Sequence, residues 1–171
     1  RKYNSVGWVV DHNVLMNLLI TELEHSENIN CYFGIPFSPQ INNKEFIIAS
    51  DGPRSPTRKR FGIKSFGYNY KQACLTARVL IRGAQSNTAF EIFRSEGPLA
   101  VLPMGMDVFQ VVWSAPLDMC HKRSLLSPME FLDHLSALLP EGFEPDILID
   151  RQEYFPAKLS VSSKLKKGRV L

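Results

Sequence analysis

From Ala73 to Arg82 an all-apolar set of positions alternates with a more polar one. Ala73, Leu75, Ala77, Val79 and Ile81 fall on one side, and Cys74, Thr76, Arg78, Leu80 and Arg82 on the other. A period of two predicts a strand with one buried face. Three shorter strands are predicted after it, over residues 88–94, 99–103 and 108–114, and another over 147–155. The connections 83–87, 95–98 and 105–107 are short, which favours antiparallel neighbours. Pro103 belongs at a strand end or edge, because it cannot donate to a ladder. Helical spacing appears twice. Leu15, Leu18, Leu19 and Leu23 share one face behind Asp11 or Asn13 as cap, and residues 25–28 end that helix. Ser127-Pro128-Met129-Glu130 is a capping box with proline at the first helical position. The helix it opens carries Phe131, Leu132, Leu135, Leu138 and Leu139 on one stripe, up to Pro140-Glu141-Gly142. Residues 9–10, 29–33 and 46–49 read as short strands, and 34–43 as a loop rich in Pro, Asn and Gly. The fold class that follows is α+β, a mainly antiparallel sheet with two flanking helices.

The chemistry concentrates in one run, Phe46 to Arg58. An apolar stretch enters a D-G turn that offers Asp51, Gly52, Ser55 and Arg58. A carboxylate there can accept from a ribose hydroxyl or orient a water. Serine and arginine can engage phosphate oxygens, the arginine as a two-pronged fork. Glycine lets the backbone approach a ligand closely. The same D-G, P-R and S-P pairs also mark ordinary surface turns.

Composition narrows the field. The chain has 171 residues, 44% apolar and 22% charged, as expected for one globular domain. A net charge of +3 is too small to argue for nucleic acid. Cys31, Cys74 and Cys120 have no CxxC spacing, which suggests neither a zinc site nor a disulfide framework. They fit a reducing, cytoplasmic compartment. The four histidines are scattered, so no metal is expected. No nucleophile elbow or phosphate-binding G-K-[ST] loop occurs. No apolar run reaches ~18 residues, so none spans a membrane. Two basic runs stand out: Arg54, Arg58, Lys59 and Arg60, then Lys158, Lys164, Lys166, Lys167 and Arg169. The second could meet an acidic membrane surface; a solvated face is the other reading.

The D-G run resembles the motif of the FAD-dependent aromatic hydroxylases, apolar-apolar-x-A/S-D-G-x-x-S-x-x-R. Asp51, Gly52, Ser55 and Arg58 match it. Four further parts follow the family's order: Gly7 to Val10 with Asn13 to Leu19, Phe90 to Phe93 with Gly97 to Met104, Val111 to Trp113, and Tyr154 to Ala157 with Gly168 to Leu171 as the return strand. Within the family the likeness is to the ubiquinone-biosynthesis hydroxylases, which act on polyprenylated phenols. The resemblance implies FAD as cofactor, NAD(P)H as reductant, and transfer of an oxygen atom from O₂ to a phenolic or quinone substrate. It implies that Asp51, Gly52, Ser55 and Arg58 hold the flavin. It places Gly97, Pro98 and Leu99 in a loop at the reacting edge, with Phe90 and Ile92 in an apolar substrate wall. Plain core packing is the alternative for Phe90, Ile92 and Leu99.

The family's opening G-x-G-x-x-G and its G-D-x-x-H segment do not occur here. The expectation is therefore the middle portion of a larger enzyme, inactive on its own and short between residues 29 and 46. On this view 1–60 is a remnant of the FAD-binding domain, 61–160 the substrate-binding sheet and 161–171 a return strand. The competing expectation is a non-enzymatic α+β module that binds a ligand or a protein.

Overall fold

The computed structural model describes residues 5–36 and 46–171, so most of the loop expected over 34–43 lies outside the described residues. The chain forms two compact units, Arg1–Asn30 with Lys71–Ala157, here the sheet unit, and Cys31–Tyr70 with Lys158–Leu171, here the loop unit. The boundaries expected at 60 and 160 differ from these. The first helix groups with the sheet, and its capping residue Asp11 pairs with Arg78 of the sheet, 3.4 Å away.

In chain order the elements are α1 (His12–Glu24), α2 (Pro56–Arg60), β1 (Ser65–Arg82), β2 (Phe90–Arg94), β3 (Gly97–Gly105), β4 (Val108–Pro116), α3 (Leu117–Ser124), α4 (Pro128–Ser136), β5 (Glu144–Leu148) and β6 (Glu153–Ser162). The class is α+β, as the sequence pattern indicates, with an antiparallel sheet in the order β2-β3-β4-β1-β5 and β6 also on β1. The alternation read from the sequence sets the core. Ala73, Leu75, Ala77, Val79 and Ile81 are all buried, with Val101, Phe109, Val111 and Trp113 beside them. Leu75 lies opposite Trp113, and Val79 opposite Phe109. Cys120 of α3 and Phe131 and Leu135 of α4 complete this core. Trp113 and Phe131 meet with ring centroids 6.4 Å apart.

Four local expectations need correction. β1 does not pair with β2, although only seven residues separate them in the chain. β2 turns into β3 through Ser95-Glu96, and β3 into β4 through Met106-Asp107, both with positive φ (49° and 57°). Paired left-handed residues make the turn whose twist suits a hairpin. These three strands form a meander, and β1 takes the free edge of β4. Second, the strand expected over 147–155 is two strands. The Asp150 carboxylate accepts the Arg78 backbone N–H and Nε–H, each at 2.6 Å, and Gln152 Nε2 donates to the Leu126 carbonyl at 2.7 Å. Those side-chain bonds interrupt the ladder between Leu148 and Glu153. Third, residues 9–10 and 29–33 form no strand. Fourth, α2 and α3 add to the two expected helices.

Other features follow their sequence signals. Asp11 caps α1, accepting from the N–H groups of Asn13 (2.9 Å) and Val14 (3.1 Å). The apolar stripe of α1 buries none of its residues. The capping box of α4 forms, with Ser127 and Glu130 each satisfying the other's backbone N–H. Pro103 lies beyond the last β2 pairing, Phe90 with Val101, so its missing donor leaves no β2 acceptor unmet.

Charge divides with the units. Among the described residues, the loop unit holds ten Lys and Arg side chains and one carboxylate, Asp51. The sheet unit holds seven Lys and Arg against fifteen carboxylates. A small net charge conceals this division. No helix among the described residues is long and apolar enough to cross a membrane.

Candidate functional site

The expected strand before the D-G turn is reduced to a single parallel bridge, Ile47 with Val170. Ile47 N–H donates to Arg169 O (2.9 Å), Leu171 N–H to Ile47 O (2.9 Å) and Ala49 N–H to Leu171 O (2.8 Å). Residues 169–171 thus hold the approach to Asp51. The chain then turns at Gly52, whose φ of 78° suits glycine, and the Gly52 carbonyl accepts the Ser55 N–H at 3.1 Å. Ser55 is buried and caps α2 by accepting the Arg58 N–H at 2.9 Å, with Pro56 as the first helical residue.

Asp51 accepts the Thr57 N–H at 3.0 Å. The hydroxyl of Ser55 and then the backbone and hydroxyl of Thr57 hold the Asp51 carboxyl down at about 2. It is therefore an anion across the physiological range. Arg58 Nη2 donates to the Pro53 carbonyl at 2.6 Å, which folds the guanidinium back over the turn. Asp51, Gly52, Ser55 and Arg58 line one hollow of about 400 Å³, together with Ser50 and Lys164. All four cofactor-site residues expected from the sequence come together. Lys164 joins them from more than 100 positions further along the chain, so only its place in the basic tail marked it beforehand.

The expected substrate residues lie in the sheet unit. Gly97 is the first residue of β3 and pairs with Arg94, so Gly97, Pro98 and Leu99 are strand residues and not a loop. The two-residue Ser95-Glu96 turn is what draws them into the ladder. Gly97 has φ 148°, and a Cβ there would collide with the carbonyl oxygen of Ser114. Leu99 is fully buried opposite Trp113. Phe90 stacks edge-on against Phe143 at 4.9 Å, and Ile92 packs on the same core. These three side chains are packing residues of the helix-covered face. Pro98 points the other way by alternation, toward a half-buried face that carries Thr76, Ala100, Val112 and Ser114. Cys74 Sγ lies 3.5 Å from Ser114 Oγ on that face.

One cluster had no sequence signal. Glu96, in the β2–β3 turn, accepts from Arg123 Nη2 (3.0 and 2.9 Å) and from Trp113 Nε1 (2.8 Å). The Arg123 guanidinium also sits 3.7 Å over the Trp113 ring. Burial pushes the Glu96 carboxyl up, but the bonds from Arg123 and Trp113 and the arginine's charge outweigh it, and the net shift is downward. Among the described residues no group of His, Cys, Asp and Glu could hold a metal ion.

No family model matches the chain. An uncharacterized protein of Synechocystis sp. is 27% identical over 176 residues, covering 92% of this chain and 42% of that protein. The human mitochondrial ubiquinone biosynthesis monooxygenase COQ6 is 24% identical over 159 residues, covering 78% of this chain and 34% of that enzyme. Among solved structures, p-nitrophenol 4-monooxygenase from Pseudomonas putida aligns over 74% of this chain and 32% of its own, with a TM-score of 0.57 and 18% identity. Aklavinone-11 hydroxylase, solved with FAD and aklavinone, aligns over 73% of this chain and 24% of its own, with a TM-score of 0.53 and 16% identity. The chain spans 34% to 42% of the length of these two curated relatives. Over that length it is similar in sequence to this ubiquinone biosynthesis monooxygenase, and its α+β sheet has the fold seen in these two hydroxylase structures.

Proposed function

We propose that this chain is a section of an FAD-dependent, NAD(P)H-using monooxygenase that hydroxylates a polyprenyl phenol on the way to a quinone, and that the section alone is inactive. The hollow beside Asp51 carries the reading. Its donor set fits a flavin dinucleotide. Asp51 is a permanent acceptor for the hydroxyls of a sugar-like chain. Arg58 has five N–H donors and spends one on Pro53, which leaves others for phosphate oxygens beside Lys164. The space where a Gly52 Cβ would stand is open, so the backbone can lie against a ligand. Bound FAD, once reduced by NAD(P)H, would supply the oxygen-activating chemistry.

The sheet has a different task in this reading. Thr76, Pro98, Ala100, Val112 and Ser114 make a wall of small side chains, suited to a flat ring. Leu99, Phe90 and Ile92 stiffen it from behind, since they fill the opposite face. A mostly apolar wall with a few hydroxyls is what a phenol with a hydrocarbon tail requires.

Flavin content tests the proposal. Asp51→Ala in the full-length enzyme should lower bound FAD measured by absorbance, with circular dichroism unchanged. FAD titrated into the 171-residue chain alone should bind weaker than about 1 μM. Full flavin content in the Asp51 variant would reduce the loop to a surface turn, and a full-length protein that binds no FAD would favour the non-enzymatic module.

A further inference from the structure

We propose that Gln110 of β4 reads the ring hydroxyl of the substrate. Its side-chain carbonyl accepts the phenolic O–H, so that a free phenol is selected over its ether. The inference rests on the substrate wall of the proposed function and adds a residue to it. Gln110 precedes Val112 and Ser114 by two and four positions in one strand, so all three share the half-buried face. Across the ladder its neighbours are Leu102 on β3 and Arg78 on β1. Val108, two positions back on the same face, lies opposite Leu80. An amide therefore interrupts a largely apolar stretch.

The backbone fixes which end of that amide is which. Gln110 Nε2 donates to the Ala77 carbonyl at 3.2 Å and to the Val111 carbonyl at 3.3 Å. Its two hydrogens are thus both engaged. Reversing the amide would set Oε1 against the same two carbonyl oxygens. Oε1 is therefore turned away from them, and among the described residues nothing donates to it. It is not sealed off either: the buried side-chain atom without a partner among those residues is Arg123 Nη1. Arg78 does not supply the donor. Its guanidinium is drawn to the carboxylates of Asp150, 2.6 Å from Nε, and Asp11, 3.4 Å from Nη1.

A fixed acceptor discriminates where the other oxygens of the wall do not. The hydroxyls of Thr76 and Ser114 rotate, and each can donate or accept. They serve a phenol and an ether alike. Gln110 Oε1 can only accept. A phenol satisfies it, whereas an ether covers it and leaves it without water or partner, which costs affinity. The spacing suits a ring. Ala100 and Val112 face each other one step along the wall, roughly 7 Å from Gln110 on the strand repeat. A ring lying on that pair, with its hydroxyl and one hydrogen bond, spans that distance.

The test is calorimetric binding of 2-prenylphenol and of its O-methyl ether to the full-length enzyme. The wild type should hold the phenol about tenfold more tightly than the ether. Gln110→Leu should bring the phenol down to the affinity of the ether and leave the ether unchanged, with the same flavin content and circular dichroism spectrum. Gln110→Met, similar in length but without a carbonyl, should do the same. The comparison of the two ligands on the wild type stands even if a variant fails to fold. Equal wild-type affinities, no binding of either ligand, or a preference that survives either substitution would overturn the assignment. Flavin content separates the two readings. A protein that holds FAD but shows no preference keeps the monooxygenase reading and loses only the role of Gln110, whereas one that binds neither FAD nor phenol loses both.

Discussion

Fifteen buried side chains, from Ala73 to Leu139, share one core in the sheet unit. In the loop unit the buried side chains among the described residues are Ser55, Thr57 and Val170. The first region is held by apolar area removed from water, the second by backbone hydrogen bonds over a few residues around a turn. Their charges are opposite as well. The sheet unit spends much of its charge on internal pairs, Arg78 with Asp150 and Arg123 with Glu96. Among its described residues the loop unit has a large excess of cations over one carboxylate. A region built by burial resists change at its buried positions. One built by local hydrogen bonds leaves its charged groups free to meet something else.

The largest effect should come from the sheet. Trp113→Ala removes the centre of the core and should cost about 3–5 kcal/mol, read by denaturant unfolding. A small loss there would break the comparison. Next is the ion pair. Glu96→Ala leaves Arg123 and Trp113 Nε1 buried without their acceptor, and should cost about 3 kcal/mol. The pair also fixes a pH dependence. The Glu96 carboxyl is lowered in the folded state, so its contribution is complete above the usual glutamate value and disappears as pH falls through the lowered one. Glu96→Gln should flatten the fall in melting temperature on the acid side of pH 4.5.

Gly97→Ala should cost about 1–3 kcal/mol, because its Cβ meets backbone at Ser114 and not a movable side chain. A bulky residue at Gly97 would therefore perturb folding before it blocked any substrate. The smallest effect belongs to the loop. Ser55→Ala removes the cap of α2 and should cost about 1 kcal/mol. Hydrogen exchange should localise that loss to residues around the D-G turn. A loss spread through β1 and β4 would show that the loop supports the sheet.

The legible parts of the sequence were those with a local code. Strict alternation marked the buried face of β1, and Ser127 with Glu130 marked the start of α4. Asp51, Gly52, Ser55 and Arg58 were close enough in the chain to be read as one loop. What stayed hidden depends on distant partners. β1 is paired by a strand more than 25 residues away and not by its successor. The Arg78–Asp150 bond that splits β5 from β6 joins positions 72 apart. α3 has no capping side chain to announce it. The division of charge was invisible because the two basic stretches lie far apart in the chain and merge only when the loop unit forms.

The sheet order also sets a sequence of events. β1 is first of the six strands to leave the ribosome, yet its partners β4 and β5 come later. The β2-β3-β4 meander needs only two-residue turns and can close early. Until it does, an 18-residue strand with its apolar face uncovered waits for an edge. During synthesis that strand is the stretch most open to pairing with the wrong neighbour.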